Sequence, residues 1–383
     1  MHLPPPEHGA ARVGMMIQES ALLKPDFELS FLRIAGSRKV GQIGRFGLGV
    51  GIIKLIDGAW LILKSFFAMV RQRPATVYYT PGVGSFAFYR DCVCISAAKI
   101  CSHATGTKLL LHFHSQGIGQ FAARGRFNQV LVRWFLNGAN VIVMSSMLKG
   151  EFDGLVKPSQ LRVLPNGVMD PFKNCTEAWE RSLAARQNGL ASGPFRILFL
   201  SHLMPFKGYR DLLASLRILL KDAVQIEALF AGSWGHSSDK TYFESFVAEH
   251  NLSGSVRYVG FADQAKKYSL LSNAHIVVLP SHNEAFPLVL LEALSFGVPV
   301  IGSMVGAIPE IITKEVGLLT APHDEKDLAE AIRTFIGLPK SIYGDMCRAA
   351  RHRYISQYSQ ALFNERFASI IRELIFTTPA AKR

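Results

Sequence analysis

Between residues 75 and 337 the chain repeats one unit: a short apolar run rich in β-branched and aromatic residues, then a stretch with helical spacing. No other feature limits the fold as tightly. Strands that are apolar on both sides need a sheet covered on both faces, and helices inserted between them make that sheet parallel. The first series is "TVYYT" (76–80), a helix over 85–104, "KLLLHFH" (108–114), a helix over 119–138, "ANVIVMSS" (139–146) and "QLRVLPNGV" (160–168). The second runs through "FRILFLS" (195–201), helix 207–221, "IEALFAG" (226–232), helix 239–251, "VRYVG" (256–260) and helix 263–273. It continues with "HIVVLPS" (275–281), helix 287–297, "PVIGS" (299–303), helix 307–313, "GLLT" (317–320) and helix 324–337.

Two series predict two doubly wound α/β domains, which also suits 383 residues, a length that exceeds what one core usually holds. The expected boundaries are 1–170 for the first domain and 195–355 for the second. The polar stretch 171–194, with its Gly, Asn and Ser, reads as the interdomain linker. Residues 356–383 form a last amphipathic helix that packs back toward the first domain. In this architecture ligands bind beyond the carboxyl ends of the strands, and two facing domains would place them in a cleft. A parallel domain should open with a strand, yet this chain opens with the loop-like "MHLPPPEHGAAR". The first strand is thus missing from the reading, and the natural chain is expected to start upstream of Met1.

Charge separates the two halves. Lys and Arg outnumber Asp and Glu by 22 to 11 over residues 1–190, and by only 20 to 18 over residues 191–383. A basic first half implies an anionic partner. Nucleic acid finds no support in zinc-finger spacing, a basic aromatic motif or basic heptads, whereas an anionic membrane surface fits. The most membrane-like stretch, residues 46–70, is interrupted by Lys54, Asp57 and Lys64, so it is too polar to span a bilayer. It reads as an amphipathic helix from about Gly49, either in a core or at an interface. No signal peptide is legible, and the five cysteines, Cys92, Cys94, Cys101, Cys175 and Cys347, are odd in number and irregularly spaced. A reducing cytoplasm is the expected location, with peripheral attachment to the inner face of the membrane.

The stretch "SHNEAFPLVLLEALSFGVPVIG" (281–302) carries Glu284 and Glu292 inside an otherwise core-like run. Pro287 suits a helix start and Gly297 a helix stop. Unpaired amides and partial positive charge at such a start attract an anion. Two carboxylates beside that anion suit a diphosphate with hydroxyls on either side, as in a nucleotide sugar. The plainer reading makes Glu284 a helix cap and leaves Glu292 on the rim. In "LFLSHLMPFKGYRDLL" (198–213), Lys207 stands just before a helix at a strand's carboxyl end, where a lysine can hold a phosphate or simply lie at the surface.

The Glu-x7-Glu spacing of "EAFPLVLLE", the run "SHLMPFKG" (201–208), "PNGV" (165–168) and "PPPEHGAA" (4–11) together resemble the retaining glycosyltransferases of family 4, which have the two-domain GT-B fold. The resemblance covers nearly the whole chain. It implies that Glu284 accepts hydrogen bonds from hydroxyls of the donor sugar and Glu292 from those of the ribose. Backbone amides near Phe286 and Leu288 would hold the sugar or its phosphate, and Lys207 would neutralise the departing β-phosphate. Gly9, in the first loop of the first domain, would admit the diphosphate, His114 would face the transferred sugar, and Phe261 would lie beside the base. His202 stands where members usually have an arginine, making that second phosphate clamp weaker or dependent on pH. Pro287 replaces a common glycine and removes an amide donor.

The resemblance further implies retention of anomeric configuration without an enzymic nucleophile. It points to a nucleotide-sugar donor as co-substrate with no other cofactor, a lipid-linked or oligosaccharide acceptor, and a role in bacterial surface polysaccharide synthesis. No Asp-x-Asp occurs, which argues for metal-independent chemistry. His112 and His114 are read as lying on opposite faces of their strand, which speaks against a shared metal ion. "GIGQFA" (117–122) is a dinucleotide fingerprint lacking its third glycine. A nucleotide-sugar epimerase, a phosphorylase of the same fold and an inactive membrane-bound scaffold stay open as alternatives.

Overall fold

The structure is a computed structural model that describes residues 9–32, 63–84, 86–173 and 175–376. It divides into two compact units, Met1–Asn166 with Ala361–Arg383, and Gly167–Gln360.

Unit 1 holds β1 (Thr76–Tyr79), β2 (Lys108–Phe113), β3 (Asn140–Val143) and β4 (Leu161–Val163), all parallel and in sequential order. The run 119–138 is two helices, Ile118–Ala123 and Arg126–Leu136, because Gly125 takes an extended conformation no helix can continue through. One core of this unit joins Val13, Ile17, Leu110, Ile142, Phe363, Phe367 and Ile371. It is built by the helices Gly9–Glu19 and Gln360–Phe376 against the apolar strands β2 and β3, so residues at the far end of the chain complete this unit. Residues 63–72 are helical, and the remainder of the stretch read as an amphipathic helix from Gly49 lies outside the described residues. Among the described residues, no helix is long and apolar enough to cross a membrane.

Unit 2 holds β5 (Phe195–Leu200), β6 (Ile226–Ala231), β7 (Val256–Gly260), β8 (Ile276–Leu279), β9 (Val300–Ser303) and β10 (Gly317–Thr320). All are parallel, in the order β10-β9-β8-β5-β6-β7. The central β8, "IVVL", is buried along its whole length, as a strand covered on both faces must be. Amphipathic helices supply the cover: Tyr209–Lys221 turns Leu212, Leu213, Leu216 and Leu219 inward, and Glu325–Ile336 turns in Leu328, Ile332 and Phe335. Asp263 and Asp324 cap their helices through side-chain oxygens.

Two parts of this unit depart from the sequence reading. The stretch 171–194, expected to be a linker, is mostly the helix Thr176–Ser192, with Trp179 and Leu183 packed on Tyr343 and Cys347. Its many polar residues cover a single buried stripe, which composition alone conceals. Tyr343 and Cys347 lie on a further helix, Lys340–Arg353, absent from the sequence reading, whose inward residues Tyr343, Cys347, Ala350 and Arg351 follow helical spacing.

Candidate donor-binding site

The strand order of unit 2 reverses between β5 and β8. From β5 the chain builds outward through β6 and β7, then returns to the other side for β8, β9 and β10. In open parallel sheets a reversal of this kind is the usual place for a ligand, beyond the carboxyl ends of the strands. Lys207 follows β5 and Glu284 follows β8, so this reversal brings together residues 77 positions apart.

Backbone contacts bring the loops after β5 and β8 close together. Gly208, with φ of +77°, lies so close to Pro280 that a Cβ would fall 1.8 Å from its carbonyl oxygen. Only glycine allows this approach. Gly232, at the end of β6, does the same against Ser201, where a Cβ would meet the carbonyl oxygen at 1.9 Å. The amide of His282 donates to the Phe206 carbonyl at 2.8 Å, which further ties the two loops together.

Between these loops Lys207 Nζ donates to Glu284 Oε1 at 2.5 Å, and the side chains are 19% and 10% exposed. The Ser281 hydroxyl donates to the same oxygen at 3.2 Å. Glu284 therefore holds the ammonium rather than capping the helix Leu288–Ser295, whose N-cap is Pro287. A carboxylate has room for about four hydrogen bonds, so further donors can still reach it. Of the first-turn amides of that helix, that of Leu290 donates to the carbonyl of the N-cap Pro287 at 3.3 Å, and together they carry the positive end of its dipole.

Glu292, one turn further on, accepts from Lys267 Nζ at 2.5 Å, with side chains 13% and 7% exposed. Lys267 escaped the sequence reading because nothing in "QAKKYSLLSN" marks one lysine as buried. Its cost of burial is offset by the carboxylate opposite. The other end of the Glu292 helix is held by three donors that sequence reasoning also missed. Arg186 donates to the Phe296 carbonyl at 3.0 Å and to that of Gly297 at 2.8 Å, Arg351 to Ser295 at 2.6 Å, and the Trp179 indole to Phe296 at 3.3 Å. Two guanidinium groups at a helix C-terminus satisfy its last carbonyls and oppose its negative end.

His202 follows β5. Burial first, and then the charge of Lys207, push its pKa below the ordinary histidine value. A neutral imidazole is the form this position favours, so the second cation that an arginine would supply is absent here near neutral pH. Phe286 is buried, with its ring centroid 6.1 Å from that of Tyr358, and Leu288 is the first helical residue. Phe261 follows β7 and is exposed.

The two remaining residues of the sequence reading belong to unit 1. Gly9 is the first residue of the helix Gly9–Glu19 rather than part of a loop, and residues 1–8 lie outside the described residues. His114 comes one residue after β2 and is half-buried. Its ring centroid is 4.0 Å from that of His112, which corrects the expectation of opposite faces. Residues two apart on a strand share a face, because the side-chain period is two. His112 is fully buried, lies 2.9 Å through Nδ1 from the Tyr78 hydroxyl, and has its pKa pushed well down by burial and then by His114. The fingerprint-like "GIGQFA" forms a helix start whose Gly117 and Ile118 amides both donate to Glu151 Oε2, at 2.5 and 2.9 Å, so this chain supplies its own anion there.

Residues 180–353 match the family model described as glycosyl transferases group 1. The glycogen synthase of Mycobacterium tuberculosis is 29% identical over 222 residues, covering 57% of this chain and 50% of that protein. The chain spans about half the length of the curated relatives it matches. Among solved structures, HepE of Anabaena in complex with UDP is similar with a TM-score of 0.66 at 20% identity, covering 82% of each chain. Sucrose-phosphate synthase of Thermosynechococcus elongatus is similar with a TM-score of 0.67 at 20% identity, covering 91% of this chain and 84% of the other. Likeness at such identity is likeness of fold.

Proposed function

We propose, from the match of residues 180–353 to the group 1 glycosyltransferases and from the GT-B fold, that the chain transfers a sugar from a nucleoside-diphosphate donor to an acceptor hydroxyl, with the anomeric configuration retained. The observation that carries this reading is the Lys207–Glu284 pair at the strand-order reversal. A cation and a hydrogen-bond acceptor stand side by side beyond the carboxyl ends of β5 and β8, in the loops that precede two helices.

In this reading Lys207 and the first-turn amides of Leu288–Ser295 stabilise negative charge as it builds on the departing phosphate, without a metal ion. Glu284 orients the donor sugar through its hydroxyls, and Glu292, fixed by Lys267, accepts from the ribose hydroxyls. The bond between the anomeric carbon and the diphosphate oxygen breaks while the acceptor oxygen bonds that carbon on the same face. The acceptor proton passes to the departing phosphate, so no side chain need act as nucleophile. Neutral His202 donates a hydrogen bond rather than a charge. Gly9 and His114 of unit 1 are proposed for the diphosphate and the transferred sugar, and Phe261 for the base.

The excess of Lys and Arg over residues 1–190 supports an anionic acceptor, and we propose a lipid-linked diphosphate met at the inner face of a membrane during surface polysaccharide synthesis. The test is a panel of nucleotide sugars offered with lipid-diphosphate acceptors, with product configuration read by NMR. An α-linked product from an α-linked donor is expected. Inverted product would remove the proposed chemistry, and donor consumed without any acceptor would favour an epimerase.

A further inference from the structure

We propose that Asp211, His282 and His323 form a binding site for one first-row transition-metal ion of the zinc, cobalt or nickel kind, which clamps the loop between β8 and the helix Leu288–Ser295. The inference does not depend on the transfer reaction, and none of the three residues has a part in it.

Three separate elements deliver these side chains. Asp211 lies in the first turn of the helix Tyr209–Lys221, His282 in the loop after β8, and His323 in the loop after β10. One ligand atom from each lies within 4.8 Å of the others. His282 Nε2 is 2.6 Å from Asp211 Oδ2, and the His282 and His323 ring centroids are 3.5 Å apart. In a tetrahedral zinc site, bonds of about 2.0–2.2 Å keep neighbouring ligand atoms roughly 3.3–3.5 Å apart. A metal ion replacing the proton between His282 and Asp211 therefore needs these atoms to part by under ~1 Å, from the same bond lengths. Asp211 and His282 are partly buried, and His323, which must turn its ring to reach the ion, is exposed. The residue that has to move is the one with room to do so.

The backbone around the three residues is braced. His323 holds φ at +62°, a left-handed conformation unusual for a side chain of this size. The next residue, Asp324, caps the helix Glu325–Ile336 by accepting from the amides of Lys326 and Asp327. Ser215 Oγ lies 2.8 Å from the carbonyl oxygens of both Asp211 and Glu325, which links the helix bearing Asp211 to the one that follows His323. Two imidazoles and one carboxylate suit zinc, cobalt or nickel better than magnesium or calcium, which prefer all-oxygen sets. Three protein ligands leave a position for water. Because the His282 amide donates to Phe206, an ion here would also stiffen the turn before Lys207.

The experiment is calorimetric titration of ZnCl2 into untagged full-length protein, carrying Cys175→Ser in every variant to remove the exposed thiol. Absorption spectra with Co2+ report on ligand type. One equivalent of zinc is expected, with visible cobalt bands of a nitrogen- and oxygen-ligated ion, and a melting temperature that rises with zinc. His323→Ala and Asp211→Asn should each weaken zinc binding at least tenfold and abolish the melting shift, while MgCl2 shifts nothing. His323 is exposed, so its alanine variant is expected to fold, and unchanged melting without metal verifies this. No binding to the parent protein, or equal affinity in both variants, overturns the site. Since no nucleotide is present, neither result bears on sugar transfer.

Discussion

The two units use the same parallel strand-and-helix chemistry, and among the described residues they differ in strand order. In unit 1 the described strands run in sequential order, and the helix start at Gly117 and Ile118 is filled by the chain's own Glu151. In unit 2 the order reverses between β5 and β8, and the two loops at that reversal carry Lys207 and Glu284. Strand order, rather than the residues of any one strand, determines where a parallel sheet leaves room for a ligand. The helix starts differ accordingly: one has its amides neutralised by Glu151, and the other stands beside a lysine.

Lys207→Ala should break this contrast most severely. If the reversal in unit 2 carries the phosphate, kcat for sugar transfer falls by about 10²–10³, the usual effect of removing one electrostatic stabiliser. The variant should also lose some stability, because Glu284 keeps no ammonium beside it, and unchanged kcat would strip unit 2 of its assigned role. Next in size is Glu292→Ala, which leaves Lys267 buried without its carboxylate. Loss of about 3 kcal/mol of stability is expected from breaking a buried pair, together with weaker nucleotide binding. Urea denaturation and calorimetry separate the two effects.

Arg186→Ala tests whether the Glu292 helix depends on the segment that composition presents as a linker. Removing a buried guanidinium that serves two helix-end carbonyls should cost about 2–3 kcal/mol, measured by urea denaturation. A change under about 0.5 kcal/mol, the range of ordinary surface substitutions, would return residues 176–192 to the status of a linker.

The pH dependence is expected to come from buried histidines. Burial, then Arg196 and Arg186, lower the His275 pKa to about 3, and burial with His114 lowers that of His112 well below its usual value. Both groups take up a proton more readily in the unfolded chain, where the reference is about 6.5. The contribution of His275 to stability is thus full above about pH 6.5 and is lost as pH falls from there toward about 3, at up to about 1.4 kcal/mol per pH unit, and that of His112 is lost in the same direction. His275→Gln should flatten this acid limb in pH-dependent denaturation, and an unchanged slope would assign the limb to other groups.

The smallest effect sharpens the contrast from the other side. Glu151→Ala frees the Gly117 and Ile118 amides and should cost about 1 kcal/mol, the value of a lost helix cap, while leaving nucleotide affinity unchanged. New phosphate binding in this variant, seen by calorimetry, would show that Glu151 occupies a competent anion site.

Much of the architecture was legible from local pattern. The run "GLLT" is a strand with the bounds read from it, and Pro287 and Gly297 do bracket the helix that carries Glu292. Such features depend on the period of apolar residues and on the special backbone of proline and glycine, which neighbours in sequence determine. What escaped notice depends on distance. Lys267 is one of two adjacent lysines, and only the position of Glu292, 25 residues on, decides which is buried. The helix Thr176–Ser192 carries enough polar residues to pass for a linker until its Trp179 and Leu183 find Tyr343 and Cys347. His282 and Asp211 are 71 residues apart and meet only because of strand order. The placement of His112 and His114 was legible from strand period alone and was misread.

The most direct measurement is a crystal structure of the protein soaked with the nucleoside diphosphate of whichever donor the nucleotide-sugar panel selects. Phosphate oxygens within hydrogen-bonding distance of Lys207 Nζ, with the ribose hydroxyls on Glu292, are expected at the ends of β5 and β8. A nucleotide bound away from these strand ends, with the Lys207–Glu284 pair undisturbed, would contradict the assignment of the site to the reversal in unit 2.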